Sequence, residues 1–302
     1  MELKNINTFI KVAELGNITK ASAELGYAQS TVTMQIKQLE NELHANLFER
    51  NGKRIRLSAA GRDFLKYAYP ISKYEAMAID HFHQTTEPEG TLNIGVMETL
   101  CSSDYANFFY NFLEKYPKIA LHLKVVTASS AVDYLDKGLF DVIFLLDQKT
   151  IRPEWKTIRE FPTEISFFCS ASHPLAKQKE VSMERLLEEC FILTEKGCSY
   201  RRVFENDLTA MGKKLECVTE IGHTSYIIKA VSRQLGIGLL PTFTLLEEQK
   251  RGEIALIPIK NYKIHLPLQV IYNSQHRVSL PLNTFFQEVE RMEQIHISTS
   301  NL

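Results

Sequence analysis

The stretch ITKASAELGYAQSTVTMQIK, residues 18–37, decides the fold of the N-terminal part of this chain. Gly26 interrupts a helical pattern there, which predicts two helices joined by a tight turn. An apolar stripe upstream predicts one more amphipathic helix, which ends at Gly16. We expect Thr19 to cap the second helix and Gln29 to begin the third. The predicted apolar positions are Leu3, Ile6, Phe9, Ile10, Ala13, Ala21, Ala23, Leu25, Val32, Ile36, Leu39 and Leu43.

The third predicted helix carries short polar side chains opposite its apolar stripe. Donors and acceptors near a helix N-terminus are typical of a helix that reads base edges in the major groove. The predicted reading face comprises Gln29, Ser30, Thr31, Thr33, Met34 and Lys37.

Residues 47–57 predict a β-hairpin, or wing, because Asn51-Gly52 is a strong turn signal between alternating residues. Contacts to DNA phosphates or to the minor groove require the positive charge concentrated there, at Arg50, Lys53, Arg54 and Arg56. Residues 1–62 hold nine Lys and Arg against six Glu, whereas the rest of the chain holds 26 basic and 30 acidic residues. On charge alone, an ordinary solvated helical surface explains this surplus equally well.

Together these motifs resemble the winged helix-turn-helix of LysR-type transcriptional regulators. The resemblance is carried, in order, by TKASAEL (19–25), Gln29, Val32-Thr33, Ile36, Leu39-Glu40, Leu43 and LFER (47–50). It implies a DNA-binding domain over residues 1–58, with the helix-turn-helix at about 18–37. Two positions differ from the family, since Ala28 replaces a frequent Ser and His44 replaces the usual Gly after the third helix.

Residues 59–89 are expected to form a linker helix, which Ser58 can cap. A coiled-coil seam is predicted at Phe64, Ala68, Ile71, Ala78 and Phe82. Pro70 should kink this helix or shift its start, and two short helices are the alternative. The family resemblance implies a homodimer through the linker helix, and often a homotetramer.

From Gly90 onward strands and helices alternate, which predicts an α/β architecture with right-handed crossovers. Strands are expected at 92–96, 120–126, 141–146, 163–170, 191–194, 216–221 and 266–272. Helices are expected at 105–115, 132–137, 182–189, 200–211, 227–234 and 282–292.

Four landmarks of this region look like the LysR effector-binding domain. They are GTLNIG (90–95), Leu135 with Gly138 and Asp141, HPLA (173–176) and LGIGLLP (235–241). The resemblance implies a two-lobed domain over residues 90–302, with lobe I at 90–162 and 268–302 and lobe II at 163–267. The expected fold class is therefore α/β, with an N-terminal winged helix-turn-helix, a long linker helix and a C-terminal two-lobed effector-binding domain. Gly236-x-Gly238 lacks the third glycine of a dinucleotide fingerprint, so we interpret it as packing.

Polar residues at strand-to-helix turns are expected to face the cleft between the lobes. Helix N-termini there offer unpaired N–H groups and the positive end of a dipole. We therefore expect a small anionic or zwitterionic metabolite as effector, although helix capping explains any one of these residues equally well. The candidate effector site comprises Thr99, Leu100, Cys101, Ser102, Ser129, Cys198, Ser199, His223, Thr224 and Ser225, with Ala128 nearby.

Two other functions involve Cys198. The thiol lies at a predicted helix N-terminus, which could lower its pKa and make it respond to oxidation. Peroxide-sensing members of the family have a second cysteine a short way downstream, but here position 207 is Asp and the next thiol is Cys217. An enzyme using Cys198 and His223 is the remaining alternative, with no G-x-S-x-G, P-loop or H-E-x-x-H signature to support it.

Composition excludes several classes of protein. With 44% hydrophobic and 24% charged residues, the chain is neither disordered nor fibrous. The longest stretches without charge, 234–246 and 264–276, are shorter than the ~20 residues that span a bilayer, so no membrane partner is expected. The N-terminus does not resemble a secretory signal, which predicts a cytoplasmic protein.

Cysteine usage and partners complete the expectations. Five cysteines without a C-x-x-C pair fit reduced thiols better than a disulfide framework, and neither a metal nor another cofactor is expected. The expected partners are double-stranded promoter DNA, a small-molecule effector and further copies of the chain, and RNA polymerase is an additional candidate.

Overall fold

The computed structural model describes residues 1–51, 54–82, 87–101, 105–149, 152–276 and 278–292. The chain divides into two compact units, Met1–Glu87 with Asp136–Leu139, and Pro88–Leu135 with Phe140–Leu302. Within the described ranges, none of the helices combines the length and the apolar character needed to traverse a membrane.

The N-terminal unit begins with three helices, α1 (Leu3–Leu15), α2 (Ile18–Leu25) and α3 (Gln29–Leu43). Phe9 is fully buried at their centre, with its ring 5.3 Å from that of Phe48 and 5.2 Å from that of Phe64. Gly16 ends α1 in the left-handed conformation, as the sequence predicts. Ala23 is exposed and Ser22 is buried instead, because the buried side of this short helix is rotated by one residue from the predicted stripe.

Local capping differs from the expectation at α2. The side chain of Asn17, not Thr19, caps this helix and accepts a hydrogen bond from Lys20 N at 3.0 Å. Asn17 has the extended backbone of an N-cap residue, whereas Thr19 already lies inside the helix. His44 ends α3 with φ at 51°, in the left-handed conformation that a glycine would adopt more easily.

A hairpin follows, with β1 (Phe48–Asn51) antiparallel to β2 (Arg54–Leu57), as predicted. The linker helix α4 (Ala59–Phe82) starts after Ser58, whose Oγ accepts a hydrogen bond from Gly61 N at 2.9 Å. Pro70 lies inside this single helix, so the two-helix alternative is wrong.

The first half of the predicted coiled-coil seam is occupied within its own domain. Phe64, Ala68 and Ile71 pack against the core of the three-helix domain. Glu75, a charged residue at the seam position between Ile71 and Ala78, accepts a hydrogen bond from the side chain of Asn7 at 3.1 Å. The heptad spacing is present in the sequence, but spacing alone cannot show whether a residue faces its own domain or a partner helix.

The C-terminal unit alternates strands and helices. Its elements are β3 (Gly90–Val96), α5 (Glu98–Cys101), α6 (Tyr105–Lys115), β4 (Ile119–Val125), α7 (Ala128–Asp136), β5 (Val142–Leu146), β6 (Trp155–Ser170), α8 (Met183–Leu187), β7 (Phe191–Leu193), α9 (Ser199–Ala210), β8 (Val218–Glu220), α10 (Thr224–Ser232), β9 (Ile237–Pro241), α11 (Leu246–Lys250), β10 (Ile254–Ile257), β11 (Ile264–Asn273) and α12 (Leu280–Arg291).

One sheet runs through both lobes of this unit, in the order β4-β3-β5-β11-β6-β9-β7-β8, with β10 also paired to β6. The long antiparallel strands β6 and β11 connect the lobes, with Pro162 opposite Pro267 in the middle of their ladder. Lobe I contains the parallel strands β3, β4 and β5, and lobe II contains the parallel strands β7, β8 and β9. The protein is thus an α/β chain with an N-terminal helix-turn-helix domain and a C-terminal two-lobed domain.

The glycines of the LGIGLLP landmark serve packing, as predicted. A Cβ on Gly238 would lie 2.2 Å from the ring of Phe168, and one on Gly236 would lie 2.5 Å from the carbonyl oxygen of Cys190. These glycines begin the buried strand β9, which the sequence pattern did not reveal.

The expectation of five reduced thiols is wrong for two of them. Cys190 and Cys217 are joined by a disulfide, while Cys101, Cys169 and Cys198 are free. The paired cysteines are 27 residues apart, and only the pairing of β7 with β8 brings them together.

Candidate functional site

Helix α3 presents its predicted reading face to solvent. Val32, Ile36 and Leu39 are buried on one side, which fixes the rotation of the helix about its axis. On the other side Gln29, Ser30, Met34 and Lys37 are exposed, Met34 by 61%, and Thr31 and Thr33 are half-buried.

Two hydrogen bonds stabilise the arrangement around this helix. Thr33 Oγ1 donates to the carbonyl oxygen of Gln29 at 2.9 Å, which leaves its lone pairs free to accept. Thr8 Oγ1 donates to Gln35 Oε1 at 2.7 Å within the core, so α1 holds α3 by a buried polar contact. Ala28 offers no side-chain cap, and the first N–H groups of α3 therefore remain suited to a phosphate oxygen.

The hairpin is attached directly to the end of α3. Glu40 Oε1 accepts hydrogen bonds from the backbone N–H groups of Leu47 and Phe48 at 2.7 and 3.3 Å. Arg56 is exposed in β2, opposite Glu49. Of the other predicted hairpin cations, Arg50 and Arg54 lie in the two strands, and Lys53 lies outside the described residues.

In the C-terminal unit, a cavity of about 50 Å³ lies between lobe I and lobe II. Thr99 and Cys198, both predicted from sequence, line it. Its other lining residues are Met97, Glu98, Val126, Thr127, Ala128, Thr194, Glu195, Gly197, Tyr200 and Gly222. Ligand pockets usually enclose ~300–1,000 Å³, so the cavity is smaller here than a typical metabolite site.

Glu98, which sequence reasoning missed, joins the two lobes. Its Oε2 accepts hydrogen bonds from the backbone N–H of Thr224 at 3.1 Å and from the Thr224 hydroxyl. His223 Nδ1 lies 3.3 Å from Glu98 Oε1. Since Thr224 begins α10, the carboxylate of lobe I occupies the positive end of a lobe II helix.

Several hydroxyl groups in or near the cleft have no hydrogen-bond partner of normal geometry among the residues that the structure describes. They belong to Thr99, Thr194, Ser199 and Tyr200, and Thr99 is only 5% exposed. An unpaired buried polar atom costs about 1–3 kcal/mol. Hydroxyl groups of this kind are suited to bind polar groups of a ligand or ordered water.

The environment of Cys198 does not favour a thiolate. Burial raises the pKa of this thiol, although the nearby Thr194 and Tyr200 hydroxyls act in the opposite direction. His223, the other residue of the enzyme alternative, has two polar neighbours. Its Nδ1 lies 3.1 Å from Ser225 Oγ and 3.3 Å from Glu98 Oε1. The expected lowering of the Cys198 pKa by the helix N-terminus is thus outweighed by desolvation.

The remaining predicted effector residues are dispersed. Leu100 and Ser199 are fully buried, and Ser129 is exposed, with its hydroxyl 3.2 Å from that of Thr127. Cys101 and Ser225 line a separate groove of about 630 Å³, together with one side of Thr224. Ser102 lies outside the described residues. Glu98, Thr194 and Glu195 gave no sequence signal, because a single glutamate or threonine resembles ordinary surface or core.

Comparison with known families covers nearly the whole chain. Residues 3–62 match the model of the bacterial regulatory helix-turn-helix protein, lysR family. Residues 85–293 match the LysR substrate binding domain. The HTH-type transcriptional regulator YwqM of Bacillus subtilis is 34% identical over 291 residues, which is 94% of this chain and 97% of that protein. YtlI of the same organism, also named an HTH-type transcriptional regulator, is 32% identical over 91% of this chain and 88% of its own length.

Solved structures show the same fold. A full-length OxyR variant from Pseudomonas aeruginosa has a TM-score of 0.73 at 18% identity, covering 96% of this chain and 94% of that one. CbnR, described as a LysR family transcriptional regulator, has a TM-score of 0.66 at 20% identity, covering 96% and 99%. Both domain models, the relatives and the fold agree. The chain therefore belongs to the LysR family of helix-turn-helix transcriptional regulators.

Proposed function

We propose that this DNA-binding regulator reads its promoter through helix α3 and is controlled by a small zwitterionic metabolite bound between the lobes. The exposed polar face of α3, with its apolar face fixed in the core, is the observation that carries the DNA-reading part. Gln29, Ser30, Thr31, Thr33, Met34 and Lys37 contact base edges in this proposal. Arg50, Lys53, Arg54 and Arg56 contact phosphates or the minor groove.

The chemistry of the cleft favours a zwitterion over a simple anion. Glu98 and Glu195 both line the cavity, and no Lys, Arg or His is among its described lining residues. An ammonium group would pair with these carboxylates. A carboxylate of the same ligand would bind the N-termini of α7 and α9 with Thr99, Thr194 and Tyr200 as hydroxyl partners.

Control follows from linkage between ligand binding and lobe arrangement. A ligand that binds the open cleft better than the closed one shifts the population toward the open state. The shift reaches DNA through assembly of several copies, because the spacing of the α3 helices depends on how the effector domains are arranged.

Assembly is proposed to use α4. Tyr67, Tyr74 and Ala78 are exposed and follow the seven-four spacing of a coiled-coil face, with Tyr74 exposed by 56%. In this proposal, these residues form the dimer contact in place of Phe64, Ala68 and Ile71, which pack in the core of their own domain. We propose a homodimer through this helix and a homotetramer through further contacts, acting on cytoplasmic promoter DNA and, through it, on RNA polymerase. The proposed domains are residues 1–58, 59–89 and 90–302.

The test is an anisotropy titration of the full-length protein with DNA from upstream of its own coding region. A scrambled duplex of the same length and composition is the control. The expected preference for the upstream DNA is about a thousandfold or more. Equal affinity for both duplexes at every salt concentration would contradict the proposal.

A further inference from the structure

The disulfide between Cys190 and Cys217 lies at the beginning of two neighbouring parallel strands of lobe II. The two Cα atoms are 4.8 Å apart. Phe191 N donates a hydrogen bond to the carbonyl oxygen of Cys217 at 2.9 Å, which continues the ladder of β7 and β8. Both cysteines are exposed, so small thiols and small disulfides in solution can reach them.

Strand β8, which begins at this disulfide, pairs with a neighbouring strand, β7, on one side. Strand β8 is the outermost strand of the sheet and has three residues, all of them exposed. Two further contacts attach its far end, the ion pair of Glu220 with Arg201 at 2.8 Å and the hydrogen bond from Ile221 N to the carbonyl oxygen of Leu193 at 2.9 Å. The disulfide and the hydrogen bond from Phe191 N to the carbonyl oxygen of Cys217 therefore together hold the start of β8.

The same strand leads directly into the cleft. Gly222 lines the cavity, and Thr224 holds Glu98 of lobe I. Cys217 is five residues from Gly222 in the sequence, about 17 Å at the rise of an extended strand. A change in the mobility of the start of β8 thus changes the mobility of the residues that close the cleft.

We propose that Cys190 and Cys217 form a reversible thiol–disulfide switch that sets the mobility of β8 and of the cleft wall at Gly222. The oxidant is a low-molecular-weight disulfide. Its effect on effector binding rests on the proposed function, whereas the disulfide chemistry itself does not.

The exchange proceeds in two balanced steps. One cysteine thiolate attacks a sulfur of the small disulfide, and the first small thiolate leaves. The second cysteine thiolate then attacks the protein sulfur of the mixed disulfide, and the second small thiolate leaves. Two electrons pass from the protein thiols to the small disulfide, and the two protons end on the released thiols. Reduction follows the same path in reverse.

Solvent exposure makes Cys190 and Cys217 better suited to thiol–disulfide exchange than Cys198, the thiol that the sequence suggested. Exposed disulfides are the labile ones, and disulfides in a reducing cytosol are usually transient and redox-sensing. Burial raises the pKa of Cys198, which suppresses the thiolate that exchange requires.

The experiment equilibrates full-length protein in mixtures of reduced and oxidised glutathione. Alkylation followed by mass spectrometry counts free thiols, and hydrogen exchange follows the amides of residues 218–222. In the wild type, Cys190 and Cys217 should lose alkylation together as the mixture becomes oxidising, without glutathione on either, and regain it on reduction. Oxidation should slow exchange in residues 218–222 by about tenfold or more.

Matched variants separate the switch from general thiol chemistry. The single variants Cys190→Ser and Cys217→Ser should each take up at most one glutathione at the remaining cysteine of the pair. Their amides in residues 218–222 should keep the fast hydrogen exchange of the reduced protein. Cys101→Ser, which removes another exposed thiol, should form the disulfide like the wild type. A hydroperoxide in place of oxidised glutathione tests whether a second class of oxidant closes the bond.

Two results would overturn the switch. The first is a pair that stays reduced, or stays oxidised, across all glutathione ratios. The second is a bond that closes without any change in exchange at residues 218–222. Loss of specific DNA binding in the separate anisotropy titration would contradict the proposed function alone, since neither readout of the switch uses DNA or effector.

Discussion

The carboxylate of Glu98 in lobe I accepts a hydrogen bond from the backbone N–H of Thr224 in lobe II at 3.1 Å. The contact places a fixed negative charge at the N-terminus of α10, where the sequence predicted that a ligand anion would bind. A ligand that engages Glu98 therefore competes with a bond between the lobes. In the proposed function, ligand recognition and lobe opening are therefore coupled through Glu98.

Glu98→Gln is expected to weaken binding of amine-bearing ligands by about 10- to 100-fold, because a charge-assisted hydrogen bond contributes ~1.5–3 kcal/mol. Calorimetry with a panel of α-amino acids and their N-acetyl derivatives measures this. Glu290→Gln, an exposed glutamate of α12, is the matched control and should bind like the wild type. Tight binding of N-acetyl derivatives or of uncharged apolar compounds alone would refute the zwitterion proposal.

Gln29→Ala or Thr33→Ala is expected to relax sequence preference, because each removes donors and acceptors that face the base edges. Each lost specific contact should reduce discrimination by ~1–3 kcal/mol at the affected base pair. Anisotropy titrations against single-base variants of the operator measure it. A uniform loss of affinity across all variants, with discrimination retained, would assign these residues to the backbone instead.

Lys53→Ala or Arg54→Ala is expected to weaken binding to all sequences alike. Removal of one phosphate contact should reduce the slope of log affinity against log salt by about 0.9. Titrations at several salt concentrations measure the slope, with Lys20→Ala as a control for the loss of a positive charge elsewhere in the domain. If the slopes of the hairpin variants match that of the wild type, the hairpin does not contact phosphates.

Arg201→Met is expected to destabilise lobe II by about 1–3 kcal/mol, because it leaves the carbonyl oxygen of Thr194 without the guanidinium donor that it accepts from. Arg201 is 3% exposed and pairs with Glu205 and Glu220, each at 2.8 Å. Arg251→Met removes an exposed pair with Glu248 and should cost less than ~1 kcal/mol. Denaturant unfolding of both variants measures the difference, and equal stabilities would show that the Arg201 pairs contribute no more than surface ones.

Local signals predicted the DNA-binding domain well. Gly16 and Gly26 end the first two helices, Gln29 begins the third, and Asn51 lies at the hairpin turn, because each of these positions is specified by its neighbours in the chain. The helix over residues 105–115 was predicted with the observed bounds for the same reason.

Features that depend on contacts between residues distant in the sequence were not predicted. Glu98 is separated from Thr224 by 126 residues, so its role depends on how the lobes come together. The disulfide likewise depends on the neighbouring positions of β7 and β8. Strand β6 starts at Trp155, ahead of the predicted residue 163, because its pairing with β11 extends a segment of mixed polarity.

The coupling of cleft and DNA is tested most directly by footprinting the full-length protein on its upstream DNA, with and without the α-amino acid that binds most tightly. The account predicts a long protected region that shortens or shifts when this compound is present, and no shift for Glu98→Gln at the same concentration. A footprint that is identical in the presence and absence of the bound compound would contradict it.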